Sequence, residues 1–449
     1  MSNPLDAIAS WATGPAVERL PQEAVALVKR AFLDTIAVTL LGSRLDAPRI
    51  VAGLELERGG KAQASLAGMG RRADVISAAL INGTSAHAEL FDDNNAPMIA
   101  HPSAPLVSAL LPLAQHRGSS GRELIDAYAA GFEINVKLGR MLNPKFYEQG
   151  WHVTRVLGVF GATAACCRLL HLDARRTGAA LGVAASMASG IRQNFGTMTM
   201  ALHVGLTARD AVQAAMLAER GFGADPAALH GKYGFFPVFG NQNPPLPPLG
   251  EPFELLASGI IFKLYPCGAP TLAAVDAAVA LHKRLRGDCS RIERVTCLVH
   301  PWNAMTLREE EPRDALQAKV SLRYCVAAAL RDGELTYRHF SAEGVADVQL
   351  AELRRRIDVR TSADLPDNNE FPAEVRVELE GGAKLAERRN FPPGGAALPL
   401  TQEQVIAKLR SCAEVALEAP AVERIVEQVL RLESIGEVNS LCACLEGKG

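Results

Sequence analysis

A mainly α-helical protein with a smaller α+β portion is what this sequence predicts, on three observations. Residues 1 to about 240 are rich in Ala and Leu, with apolar positions at helical spacing. From about 265 the texture turns β-rich, and helical patterning returns near 400. A length of 449 residues is a prior for two or three domains.

The helical part opens on runs such as Ala24-Val25-Ala26-Leu27-Val28, continued by Ala31-Phe32 and Ile36-Ala37. Its breaks fall at polar or Gly/Pro clusters: Gly42-Ser43, Gly59-Gly60, Asn94 to Pro105, Gly118 to Gly121, Asn143-Pro144 and Gly221 to Pro226. Asn241 to Pro252 is too proline-rich for a helix and reads as an extended connection. Beyond it, 270–285 is helical in pattern, Val295–Val299 is a β-rich run, 321–331 and 345–357 are helical, and Val375–Leu379 alternates strictly like a half-buried strand. Thr401 starts a helix to about Leu409, and 415–445 is helical again.

Composition narrows the function. Lys plus Arg (47) against Asp plus Glu (49) leaves a formal charge of -2, too balanced for a nucleic-acid or acidic-lipid footprint, so a small-molecule partner is expected. Nine cysteines give no even disulfide framework, and no charged segment followed by an apolar run opens the chain; the expected compartment is the cytoplasm. No stretch of about 18 residues is apolar without charge, so no spanning helix or membrane partner is expected. Neither a Gly-x-Gly-x-x-Gly after a strand nor a Gly-Lys-Ser/Thr loop occurs, which leaves no pointer to a nucleotide cofactor, and Gly-x-Ser-x-Gly is absent too. Cys442-Ala443-Cys444 has the wrong spacing for a redox or zinc motif.

The densest polar cluster runs from His87 through Glu89, Asp92, Asp93, Asn94 and Asn95 to His101-Pro102-Ser103. Two adjacent carboxylates, two histidines and two amides suffice for proton transfer or for orienting a polar ligand. As a metal site the spacing is poor, and none is expected. His152 beside Arg155 opens a further helical stretch and suits a carboxylate ligand. Arg192 and Gln193 lie in a polar loop that leads to His203, and Lys263 and Tyr265 sit where the texture changes, as candidate acid, base or anion-binding groups.

These clusters fall in an order that resembles the MmgE/PrpD family, whose members include 2-methylcitrate dehydratase, cis-aconitate decarboxylase and iminodisuccinate epimerase. The matching segments include Leu33–Val38, Asn82–Ala88, Phe91-Asp92-Asp93, His101–Pro105, Gly158–Ala162, Gly196–Thr199, Lys263–Cys267 and Ser321–Tyr324. The resemblance implies a discontinuous, all-helical domain (1–264 plus 400–449), an inserted α+β lid (265–399), a homodimer, and chemistry beside a carboxylate of a small di- or tricarboxylate without metal or organic cofactor. It implies catalytic roles for His101, His152, Lys263 and Tyr324. Asp93, Asn94, Arg155, Arg192, Gln193, His203 and Tyr265 complete the expected substrate-binding set. Two departures bear on the reaction: Leu90 stands where the lyases carry Asp, and Met200 where they carry Lys. Loss of an acid and a cation favours an epimerase of an aspartate-derived polycarboxylate such as iminodisuccinate, which needs only two opposed proton carriers. A dehydratase- or decarboxylase-type lyase is the alternative, and a non-catalytic carboxylate-binding member of the family the second.

Overall fold

The computed structural model describes residues 3–304, 311–367 and 370–447, and these divide into two compact units. One unit comprises the residues up to Ala88, Asp92–Ile260, and those from Thr401 on; the other comprises Glu89–Phe91 and Ile261–Leu400.

The first unit is built from helices α1 (Gln22–Gly42), α2 (Val75–Ala88), α3 (Ser103–Arg117), α4 (Gly121–Leu142), α5 (Gly158–Leu169), α6 (Ala174–Met187) and α7 (Met198–Glu219), joined by the C-terminal helices Gln402–Ala413 and Ala419–Leu430. Its only sheet among the described residues is a hairpin, β1 (Ala64–Leu66) with β2 (Arg71–Ala73). Helix starts follow the sequence: Ser120 and Glu123 close a capping box on α4, and Thr401 does so with Gln404. Helix α2 is buried on nearly every side, as its run of small and apolar residues requires. It packs on α7 through two glycines. A Cβ on Gly205 would meet Leu80 O at 2.3 Å, and one on Gly83 would meet the Gly205 Cα at 2.8 Å, so only glycine permits this approach. Gly83 stands one turn before His87, and Gly205 two residues after His203, so the contact brings these histidines toward one another.

The second unit carries a four-stranded sheet in the order β4 (Ile357–Thr361), β3 (Ile292–Val299), β5 (Ala373–Leu379), β6 (Lys384–Arg389). Strands β3 and β4 are parallel and the other pairs antiparallel. The register sets Val295 opposite Val377, Cys297 opposite Val375 and Val299 opposite Ala373, and these residues form one buried face. Helices α8 (Leu272–Arg284) and α9 (Leu322–Asp332) share a core with that face.

The helical pattern expected over 345–357 resolves differently: Ala342–Ala346 and Val348–Arg355 are helical, and Ile357 already begins β4. The 415–445 stretch is broken between Leu430 and Asn439, with one 3-10 turn in the gap. Among the described residues no helix is long and apolar enough to cross a membrane.

Candidate active site

In the first unit the end of α2 and the start of α3 bring three of the clustered groups together. The buried Asp92 carboxylate lies 2.9 Å from His87 Nδ1 and 3.1 Å from His101 Nδ1. His101 Nδ1 also lies 2.8 Å from the Asp93 carbonyl oxygen. A carboxylate and a carbonyl can only accept, so His101 carries its proton on Nδ1; the same reasoning places the His87 proton on Nδ1. Burial works to raise the Asp92 carboxyl, yet the two histidines outweigh it and hold it well below the ordinary value. Asp92 therefore stays ionised and fixes two imidazoles in one tautomer. Their rings meet edge to face with centroids 4.6 Å apart.

His87, Asp92 and His101 also offer ligand atoms within 4.8 Å of one another, close enough for a metal ion. Binding an ion there would require both Nδ1 atoms to give up the protons they direct at Asp92 and at the Asp93 carbonyl. Turnover should accordingly survive EDTA and dialysis; loss on chelation, restored by one divalent ion, would show that the trio binds metal instead.

His152 precedes the short helical turn Val153–Val156 and is anchored by its N–H to the Gly190 carbonyl at 3.1 Å. Its Nδ1 stands 2.9 Å from His203 Nδ1, its ring is 5.9 Å from that of His87, and Phe195 meets it edge to face. Burial, then the neighbouring histidines, drives His152 well below its ordinary pKa, and burial followed by the Arg155 charge lowers His203 to about 4. Both rings are neutral near pH 7, one donating to the other. His152 can thus pass or accept a hydrogen bond but is not a cation at rest.

The other expected ligand groups differ in what they contact within the protein. Arg155 is buried in an ion pair with Asp210 and hydrogen-bonds Ser189 Oγ and the Met187 carbonyl. Arg192 stacks on Tyr147 at 3.6 Å and donates to its carbonyl, while Gln193 is exposed. Asn94 is buried, with its side-chain oxygen unbonded among the described residues.

Asp93 faces inward, where Ser103 donates from both its N–H and its hydroxyl, and Tyr128 joins Ser103 at 2.6 Å. Asp93 is thereby tied to the first turn of α3. Burial, against the Ser103 hydrogen bond and with the charges of Asp34 and Asp92, lifts its carboxyl to about 8. Because the unfolded chain releases this proton near 3.8 and the folded chain keeps it to about 8, Asp93 costs stability increasingly as pH rises through that window. Asp93→Asn, a mimic of the protonated form, should remove the penalty. Urea unfolding of both proteins at pH 5 and 8 should show the wild type losing a few kcal/mol more than the variant over that interval, at about 1.4 kcal/mol per pKa unit. Equal pH dependence would mean an ionised Asp93.

In the second unit Lys263, fully buried, donates to the Leu90 carbonyl at 2.7 Å, and Lys319 pairs with the Glu89 carboxylate. Leu90 itself lies in the left-handed region at φ 55°, a costly conformation for a branched side chain. The acid absent at 90 is matched by a buried one at 89. Tyr265 donates to Asp276 at 2.9 Å, and burial followed by the Asp276 charge raises its pKa. Tyr324 donates to the His339 carbonyl at 2.5 Å, and burial pushes its hydroxyl up to about 12. Both hydroxyls are thus occupied donors. Sequence reasoning missed Asp92 and His87 as the orienting carboxylate and second ring, although both lie in the polar cluster it singled out. It missed Lys319 altogether, which stands 230 residues from its partner.

The chain matches the MmgE/PrpD N-terminal domain over residues 6–247 and the MmgE/PrpD C-terminal domain over 265–433. It is similar to the cis-aconitate decarboxylase of Homo sapiens, at 27% identity across 97% of this chain and 92% of that protein. It is also similar to the enzyme of that name from Mus musculus, at 27% identity across 98% of this chain and 93% of that one. The cis-aconitate decarboxylase of Aspergillus terreus (strain NIH 2624 / FGSC A1156) is 25% identical across 98% and 95%. With both domains matched in order over most of its length, the chain belongs to the MmgE/PrpD family of enzymes.

Proposed function

We propose that this protein is a lyase of small polycarboxylates that releases carbon dioxide from a cis-aconitate-type tricarboxylate. The observation that carries the reading is the Asp92–His101 pair, whose Nδ1 is held toward two acceptors, so that proton exchange falls to Nε2. Loss of carbon dioxide leaves an electron pair that conjugation spreads toward a neighbouring carboxylate, and one proton must then be placed on carbon. An imidazole that collects a proton at Nε2 and delivers it there suits the task, and the Asp92 anion offsets the charge the ring acquires meanwhile. Decarboxylase relatives aligned with nearly the whole chain support this reading over the epimerase expected from Leu90 and Met200. The buried Glu89–Lys319 pair also weakens the argument that an acid has simply been lost from that segment.

Proton NMR with cis-aconitate, 2-methylcitrate and iminodisuccinate offered separately tests it. Carbon dioxide release from cis-aconitate, with one solvent deuteron incorporated in D₂O, is the expected result. Interconversion of iminodisuccinate stereoisomers without carbon dioxide would restore the epimerase, water loss from 2-methylcitrate would make it a dehydratase, and thermal stabilisation without turnover would make it a binder.

A further inference from the structure

The loop that leads to His101 holds a backbone conformation its sequence disfavours. Ile99 lies in the left-handed region at φ 51°, where a β-branched side chain is crowded, and His101 follows two residues later. Such a residue persists only where its surroundings leave the backbone no alternative. Most of the restraints converge on Asn95, which is 1% exposed. Its N–H donates to the Ala100 carbonyl at 3.0 Å and closes the loop, while its side-chain oxygen accepts from the Met98 N–H at 2.9 Å within it. Its side-chain nitrogen donates outward, to Ser258 Oγ and to the Gly259 carbonyl, each at 2.9 Å. Those two residues are fixed in turn, because the Ser258 hydroxyl and the Gly259 N–H both donate to the Glu254 carbonyl. A second restraint comes from the end of α4: Asn143 donates to the Met98 carbonyl at 2.6 Å, and a Cβ on Gly139 would meet the Met98 Cα at 2.6 Å. All of these residues belong to the first unit.

We infer that Asn95 is a positioning residue for His101: it holds the Asn95–Ala100 loop against the strain at Ile99 and so sets where the His101 ring is presented. This rests on the reading of His101 as the proton carrier. A side chain that only fastened the 258–259 segment would need its two outward bonds alone. The inward bond to Met98, one residue before the strained position, is what ties Asn95 to His101. Beyond the loop His101 is held by its own N–H on Thr154 Oγ1 at 3.1 Å and by Nδ1 at 2.8 Å from the Asp93 carbonyl. Both contacts lengthen if Ile99 relaxes to an ordinary φ and the loop shifts, and a displacement of about 1 Å at a reacting group lowers a rate by as much as about 10²-fold.

The test is a double-variant cycle on the full-length protein, with Asn95→Ala and Ile99→Gly. Alanine removes all three side-chain hydrogen bonds, and glycine adopts a positive φ without steric cost. Alone, Asn95→Ala should lower kcat on cis-aconitate by about 10- to 10²-fold while KM stays within about twofold. In the Ile99→Gly background the same substitution should cost several-fold less, because no strain is left for Asn95 to oppose. Equal losses in the two backgrounds, or none in the first, overturn the inference. A second readout needs no substrate: the imidazole N–H proton resonance of His101, identified by its absence in His101→Gln, should broaden in Asn95→Ala and sharpen again in the double variant. If it stays sharp in Asn95→Ala, the inference fails whatever the substrate. If it broadens and glycine restores it while no form turns over cis-aconitate, Asn95 still positions His101 and only the assigned reaction is wrong. Thermal unfolding of each variant keeps a folding failure from counting as a loss; should Asn95→Ala not fold, Asn95→Ser, which leaves a smaller cavity, carries the same comparison.

Discussion

His101→Gln should lower turnover by about 10²- to 10⁴-fold, the usual contribution of a general acid–base residue. Glutamine can still donate to the Asp93 carbonyl, which lies 2.8 Å from the wild-type Nδ1, so the loop before α3 should keep its course. What disappears is the lone pair at the far nitrogen and the capacity to hold a proton. Asp92→Asn should act on the same step by another route: the amide cannot fix both rings by accepting from each Nδ1, so His101 and His87 lose their imposed tautomer. Since Asp92 sits well below the ordinary carboxyl range, wild-type activity should not fall through protonation of this group until the solution is strongly acidic. Steady-state rates on cis-aconitate, with KM and kcat separated, check both variants. If His101→Gln retained near wild-type turnover, the proton would have to come from elsewhere, and the ordered pair around Asp92 would be a structural device only.

Much of the helical architecture is legible because long periodic segments with caps leave little choice: Leu272–Arg284 and Leu322–Asp332 lie almost where their apolar spacing puts them. Strands β3 and β5 are legible because their inward residues alternate as Val295, Cys297, Val299 and Ala373, Val375, Val377. Strand β6 is not. As an edge it carries Lys384, Glu387, Arg388 and Arg389, charges that protect an open edge and erase the alternation a reader looks for. Strand β4 follows directly on the basic run Arg354–Arg356, so its start merges with the helix before it.

The site shows the same division. His101 and His152 stand in recognisable motifs, but their protonation does not, because it depends on what surrounds them. His152 is neutral through burial against His87 and His203, which lie 65 residues before it and 51 after it in the chain. Lys263 reads as a candidate anion-binding group, yet its ammonium is already on the Leu90 carbonyl. Spacing shows which side chains are available; only the fold shows which are already engaged.

Arg155 carries that point furthest, and Arg155→Met should destabilise the protein by about 3–5 kcal/mol, the cost of leaving one member of a buried ion pair alone. The guanidinium is 3% exposed, paired with Asp210 and bonded to Ser189 and the Met187 carbonyl. Burial lowers its pKa and the Asp210 charge works the other way, so the carboxylate is what keeps the cation tolerable there. Asp210 also accepts from Arg209 Nε at 2.8 Å, and that second, half-exposed cation should hold the loss toward the lower end of the range. A residue that instead gripped a substrate carboxylate would give the opposite pattern: a large rise in KM with an unchanged unfolding midpoint. Urea unfolding together with KM for cis-aconitate separates the two. The double variant Arg155→Met/Asp210→Leu sharpens the test, because removing both charges leaves neither buried alone; it should be less destabilised than the sum of its single variants, with a coupling of a few kcal/mol. Strict additivity, or a KM effect without a stability effect, would return Arg155 to the substrate.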